Sequence, residues 1–435
     1  MLLLLHFIII FFKPIISILS LNFYRNLTKI LSPDNLMENL YSNDIFTFLE
    51  IGTPKQKISM NIKLQTYAFY FLSDESKSNL IKFSPKKSKT FYSSNILSSY
   101  IINEDFHRAF FSSDIISLSD INKNNNFTFL LVKDISSEIY EGGGIGLNLK
   151  TKSPNIENIS FIYQLKKHNL ISSYTFTIKY KNENEGNLII GKRPDEYDNQ
   201  SYKNEYFKYS NIPSHNEEFD WGLYFDKIEY DNISFDKIKN YVYFEIELGV
   251  IISNSNYKKF IENQFFNKYF IENKCFLGKF SLEKTKDTEF QYFYCDEDVD
   301  ISTIKNLNFF SKELNYTFEF NYKDLFYNFK GKNYYLIIFP WYRSLNWRIG
   351  LPFFKKYQLV FDSEKKIVGL YEIILEKKFK FKNWNNYLII ILFIIIIFLI
   401  IYISNNQFNK KRKIRANELE DKYEYINQDI EHKIN

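Results

Sequence analysis

The chain has 435 residues, 45% of them hydrophobic, and a net charge of +5 spread thinly along its length. That is enough apolar material for a large core, and no basic stripe of the kind a nucleic-acid surface needs is present. Ile, Asn, Lys, Phe and Tyr dominate; all are read from A/T-rich codons, so the 19% aromatic content carries no functional weight.

The chain opens with MLLLLHFIIIFF, an apolar run broken at Lys13-Pro14 and followed by a second apolar patch ending near Leu21. It is too short to cross a bilayer and reads as a signal peptide over residues 1–21, with an uncleaved anchor as the alternative. Residues 22–40 form a pro-segment or linker. From about residue 40 to 375 the pattern is strands: DIFTFLEI, FTFLLV, SYTFTIKY, NLIIG, FDKIEY, YVYFEIEL, YTFEF and YYLIIF, bounded by Asn, Ser, Asp and Gly clusters. Helical pieces are few, SFIYQLKKHNL near 160–170 and NSNYKKFIENQFFNKYF near 254–270. The expected class is all-β.

A juxtamembrane stretch, 377–386, precedes YLIIILFIIIIFLIIYI, Tyr387 to Ile403. At ~1.5 Å per residue this run reaches about 25 Å, enough for one transmembrane helix, and Trp384, Tyr387 and Tyr402 mark its edges. Lysines flank both sides, so orientation rests on the leader: a single-pass type I protein of the secretory system or cell surface. Its body is lumenal or extracellular, and residues 404–435 form a cytosolic tail. Two cysteines in such a compartment, Cys275 and Cys295, form one disulfide, two free buried thiols being the alternative. N-x-[ST] glycosylation sequons stand at Asn26, Asn126, Asn158, Asn199, Asn232 and Asn315. No His/Cys/Asp/Glu grouping has metal-ligand spacing, no phosphate loop appears, and no cofactor is expected.

Taken in order, several segments resemble the pepsin-like aspartic proteases. FTFLEIGTPKQ (Phe46 to Gln56) is similar to the family's first strand and turn, and GGGIGLNL (Gly142 to Leu149) to the loop that braces the first active-site loop. SFIYQLKKHNLISSYTFTIKY with GNLIIGKRPDEY resembles the helix and hairpin closing the first lobe. WGLYFDKIEYDNISF, NYVYFEIELGVIISNSNYKKFI and WRIGLPFFKKYQLVFDSEKKIVGLYE resemble the second lobe, with Ile349-Gly350 repeating the bracing pair. The resemblance implies a bilobal all-β fold with few short helices, an N-terminal lobe over 41–200 and a C-terminal lobe over 201–376. It also implies a lobe-two disulfide, Cys275 to Cys295.

The family's chemistry needs two Asp, one per lobe, each at an Asp-Thr/Ser-Gly turn and close enough to share a proton, so that one activates water. Glycine there lets the two loops approach. Here the first Asp position falls on Lys63, followed by Leu64 and Gln65; the second falls on Glu247, followed by Leu248 and Gly249, with Glu245 on the same strand face as an alternative. No Asp or Glu lies between Ile51 and Ser73, and no Asp-Thr-Gly or Asp-Ser-Gly occurs anywhere. The flap Tyr position falls on Ile102. The expectation is therefore a catalytically inactive homologue whose cleft binds a peptide or protein, with Lys63 and Glu247 forming an ion pair. Two alternatives stay open: an active aspartic endopeptidase with an unorthodox acid pair, and an adhesion or surface-coat module with a vestigial cleft.

Overall fold

In the computed structural model the described residues are 18–25, 35–75, 82–102, 105–118, 121–134, 142–149, 158–213, 220–236, 239–282, 289–341, 346–372, and 402, 410 and 412. The chain divides into two compact units, Met1–Ile374 and Leu375–Asn435, and of the second only Tyr402, Lys410 and Arg412 are described. Among the described residues no helix is long and apolar enough to cross a membrane. The expected span at 387–403 lies outside them except for Tyr402, as do Asn26 and residues 1–17 of the expected leader.

The first unit is built of strands. Those of its first half are β1 Leu19–Arg25, β2 Ile45–Ile51, β3 Gln56–Lys63, β4 Phe69–Leu72, β5 Tyr92–Ile102, β6 Asp105–Leu118, β7 Ile121–Asp134, β8 Gly143–Gly146, β9 Thr175–Tyr180, β10 Glu185–Ile190 and β11 Phe207–Asn211. The second half adds β12 Gly222–Phe225, β13 Lys227–Tyr230, β14 Ile233–Asp236, β15 Asn240–Phe244, β16 Ile251–Ile252, β17 Cys275–Ser281 and β18 Glu289–Asp296. It continues with β19 Leu307–Ser311, β20 Tyr316–Phe320, β21 Phe326–Phe329, β22 Lys332–Tyr335, β23 Ile337–Pro340, β24 Trp347–Ile349, β25 Leu359–Asp362 and β26 Ile367–Tyr371. A thirteen-stranded sheet joins both halves in the order β11-β26-β25-β9-β10-β1-β2-β3-β8-β4-β7-β6-β5, and sheets of nine and four strands complete the second. The all-β expectation holds.

Most strands sit where β-branched and aromatic alternation placed them. YYLIIF divides into β22 and β23, because its residues change sheet partners at Leu336. Both expected helices form, Phe161–Lys167 behind the cap Ser160, whose Oγ accepts the Tyr163 amide, and Ser255–Ile261 behind Asn254. Among the further short helices, Leu36–Tyr41 and Leu351–Lys356 were not anticipated.

The expected leader boundary at residue 21 falls within a strand. Leu19–Arg25 is a single strand paired with β10 from Leu19↔Ile190 to Tyr24↔Glu185, and Leu19, Leu21 and Phe23 are core residues. A leader ending at residue 21 would divide this strand. Its period-two burial is that of a sheet strand with one face in the core.

Cys275 and Cys295 face each other on β17 and β18 and form a disulfide. A bond closing a loop of this separation contributes roughly 3 kcal/mol in the chain-entropy model.

Candidate functional site

The two halves repeat one threading pattern. In the first, β3 runs parallel to β8, β8 is antiparallel to β4, and β4 is parallel to β7. In the second, β15 runs parallel to β24, β24 is antiparallel to β16, and β16 is parallel to β23. The bracing strands β8 and β24 therefore hold equivalent loops, 63–68 and 245–250.

Sheet register gives the equivalence residue by residue. Ile62 and Phe69 both pair with Ile145, while Phe244 and Ile251 both pair with Ile349. Since Ile145-Gly146 and Ile349-Gly350 are the repeated bracing pair, Lys63 corresponds to Glu245, Leu64 to Ile246 and Gln65 to Glu247. Counted along the sheets, the second-lobe partner of Lys63 is Glu245. Glu247, two residues further on, takes the counterpart place of Gln65. The sequence register favoured Glu247 because Leu-Gly follows it; ladder geometry outweighs that resemblance.

Each side chain has an assigned occupation. Glu245 is buried, and Arg348 Nε lies 2.6 Å from its Oε1, a charge contact without hydrogen-bond alignment. Glu247 Oε1 accepts the Gln65 amide at 3.0 Å, across 182 residues of sequence. The residue as a whole is intermediate in exposure, yet its Oε2 is enclosed and meets no hydrogen-bond donor among the described residues. Burial pushes this carboxyl's pKa up; the Gln65 amide, the Lys63 charge and the amides of Glu247 and Leu64 pull it partly back. Lys63, half-buried at the end of β3, thus acts on Glu247 through its charge.

The second-lobe loop is also held from the N-terminal side. Asn43, fully buried, donates its amide to Glu247 O at 2.7 Å and its Nδ2 to Ile246 O at 2.7 Å and Tyr180 Oη at 3.0 Å. Ser42 bridges Leu248, and the Gly249 amide donates to Tyr41 O at 2.8 Å. Leu36, Met37 and Leu40 pack on Leu248, Val250 and Ile252. Asn43, Tyr180 and Arg348 carry no motif, and sequence reading missed all three. A signal existed only for Arg348, beside the bracing Ile349.

Ile102, the expected flap position, ends β5 and pairs with Asp105 at the end of the β5–β6 hairpin. The sequon asparagines Asn126, Asn158, Asn199, Asn232 and Asn315 are all exposed. Among the described residues no group of three or more His, Cys, Asp or Glu could hold a metal ion.

Loop 63–68 contains no Asp or Glu, while the two acids of the second-lobe loop are engaged by Arg348 and by the Gln65 amide. No curated protein matches the sequence. A family model does, described as eukaryotic aspartyl protease, over residues 45–373. With two repeated β-threads, paired bracing loops and a match over most of its length, the chain belongs to the eukaryotic aspartyl protease family.

Proposed function

We propose that this protein is a non-hydrolytic member of the family, a type I membrane protein whose body binds an extended peptide or protein segment between its lobes. What supports the loss of chemistry is that Lys63 takes the sequence position of the first acid, while its counterpart by sheet register, Glu245, lies against Arg348. Water activation needs a carboxylate that can take a proton from a bound water, and a shared proton between two such groups. The first lobe supplies none. Glu247 does not substitute, because its Oε2 is enclosed and its Oε1 is occupied by an amide of the opposite loop. Membrane anchoring rests on the apolar run at 387–403 and the leader-like N-terminus.

The test is cleavage. Full-length protein incubated with a denatured protein substrate between about pH 3 and 7 should leave it intact. Cleavage that a statine-type inhibitor abolishes would establish the competing reading, an active endopeptidase with an unorthodox acid pair.

A further inference from the structure

The equivalent residues Gln65 and Glu247 meet each other, and this contact has a consequence beyond the loss of hydrolysis. The resemblance puts small glycines at the positions where the two loops approach. This chain puts a long acid on one side and an amide-bearing glutamine on the other. We propose that Glu247 is a latch: its carboxylate spans the junction, holds the first-lobe loop by its main chain, and so sets the spacing of the two lobes.

Four observations carry this. Glu247 Oε1 accepts the Gln65 amide at 3.0 Å, a bond from one loop to its counterpart. A carboxylate taking backbone N–H groups makes a charge-assisted bond, stronger than a neutral one. Next, the contact closes a ring. Gln65 O accepts from Asn148 Nδ2 at 3.2 Å, and nearby Leu147 O accepts from Trp221 Nε1 at 2.7 Å. Trp221 O takes the Phe244 amide at 2.8 Å, and Phe244 leads through Glu245 and Ile246 back to Glu247. The ring passes from the second lobe to the first and returns, so without the Glu247 link it becomes an open arc.

The latch is also firmly seated. Asn43 holds Ile246 O and Glu247 O and connects them through Tyr180 to the central sheet. The force on the carboxylate is therefore referred to a rigid element. Finally, the charged and titratable groups facing this point are accounted for: Lys63 from β3 acts directly on Glu247, Tyr180 from β9 senses it, and Arg25 from β1 faces Tyr180. Enclosure of Oε2 keeps water from competing for the amides.

A latch depends on reach, which separates it from a charge effect. Glu247→Asp keeps the negative charge and shortens the side chain by one methylene, whereas Glu247→Gln keeps the length and one acceptor oxygen. Hydrogen exchange of the full-length protein, followed by mass spectrometry, reads the Gln65 amide directly. In Glu247→Asp and Glu247→Ala this amide should exchange about tenfold faster or more, while β9 and β10 keep their wild-type rates. Glu247→Gln should restore slow exchange. If Asp protects Gln65 as well as Glu does, or if all segments accelerate by the same factor, the latch is refuted. Should the Ala variant not fold, the Asp and Gln pair decides alone. No substrate enters this measurement, so its outcome is independent of whether the protein cleaves peptides.

Discussion

A single substitution at a shared-proton site changes what its neighbours can do. On the proposed reading, with Lys63 in a loop that holds no acid, a second-lobe carboxylate faces no like charge, and the physical reason for a shared proton disappears. What remains is the cost of burying charge, met here by Arg348 at Glu245 and by the Gln65 amide at Glu247. Glu247 still titrates above its ordinary value of 4.5 because burial outweighs its bonds. Between 4.5 and that raised value the folded state holds a proton that the unfolded chain has released. Its stabilising contribution is therefore present in acid and lost as pH rises through the window. Glu247→Gln cannot titrate, so thermal unfolding measured across this range should show the wild type losing ground to the variant as pH increases. Lys63 could be read from the sequence, since no slip of register would put an acid in its segment. The second-lobe residue could not, because two glutamates two apart in one loop are separated only by which of them follows the Phe244 pairing with Ile349.

At the scale of elements, the short helix Leu36–Tyr41 shows how tertiary contact overrides weak local signals. Six residues with no side-chain N-cap bond are too few to be helical alone. Burial of Leu36, Met37 and Leu40 against the second-lobe loop holds them in place. Gly249 is the point of closest approach: a Cβ there would lie 1.8 Å from Leu40 O. Gly249→Ala should consequently displace residues 35–43 and destabilise the protein by about 3 kcal/mol, the upper end for overpacking. Urea unfolding measures the loss, and limited proteolysis should find new cuts near residue 40. The long strands were legible from their alternation, as were the helices with Ser160 and Asn254 as caps. The Leu36–Tyr41 helix was not, since the second-half residues it packs on lie two hundred or more positions away.

For the whole molecule, the interlobe sheet places demands on the N-terminus. β1 lies between β10 and β2, and its Leu19 and Leu21 fill the core beneath. Each fully buried leucine contributes about 1.5–3 kcal/mol, so a chain beginning at Asn22 should be less stable than one beginning at Ile18 by about 3 kcal/mol or more. Thermal unfolding of the two chains compares them directly. The sequence by itself determined the class, the order of segments, the disulfide partners and the absence of any acid between Ile51 and Ser73, because alternation, motif order and residue identity are local properties of the chain. Tertiary structure alone decided that residues 19–21 belong to a strand, that Glu245 is the counterpart of Lys63, and that Asn43 and Gln65 hold the second-lobe loop. Those are facts of register and of contact across 182 residues. A one-residue slip in a ladder reverses every side chain, and nothing in the linear order of residues records which slip the sheet adopts.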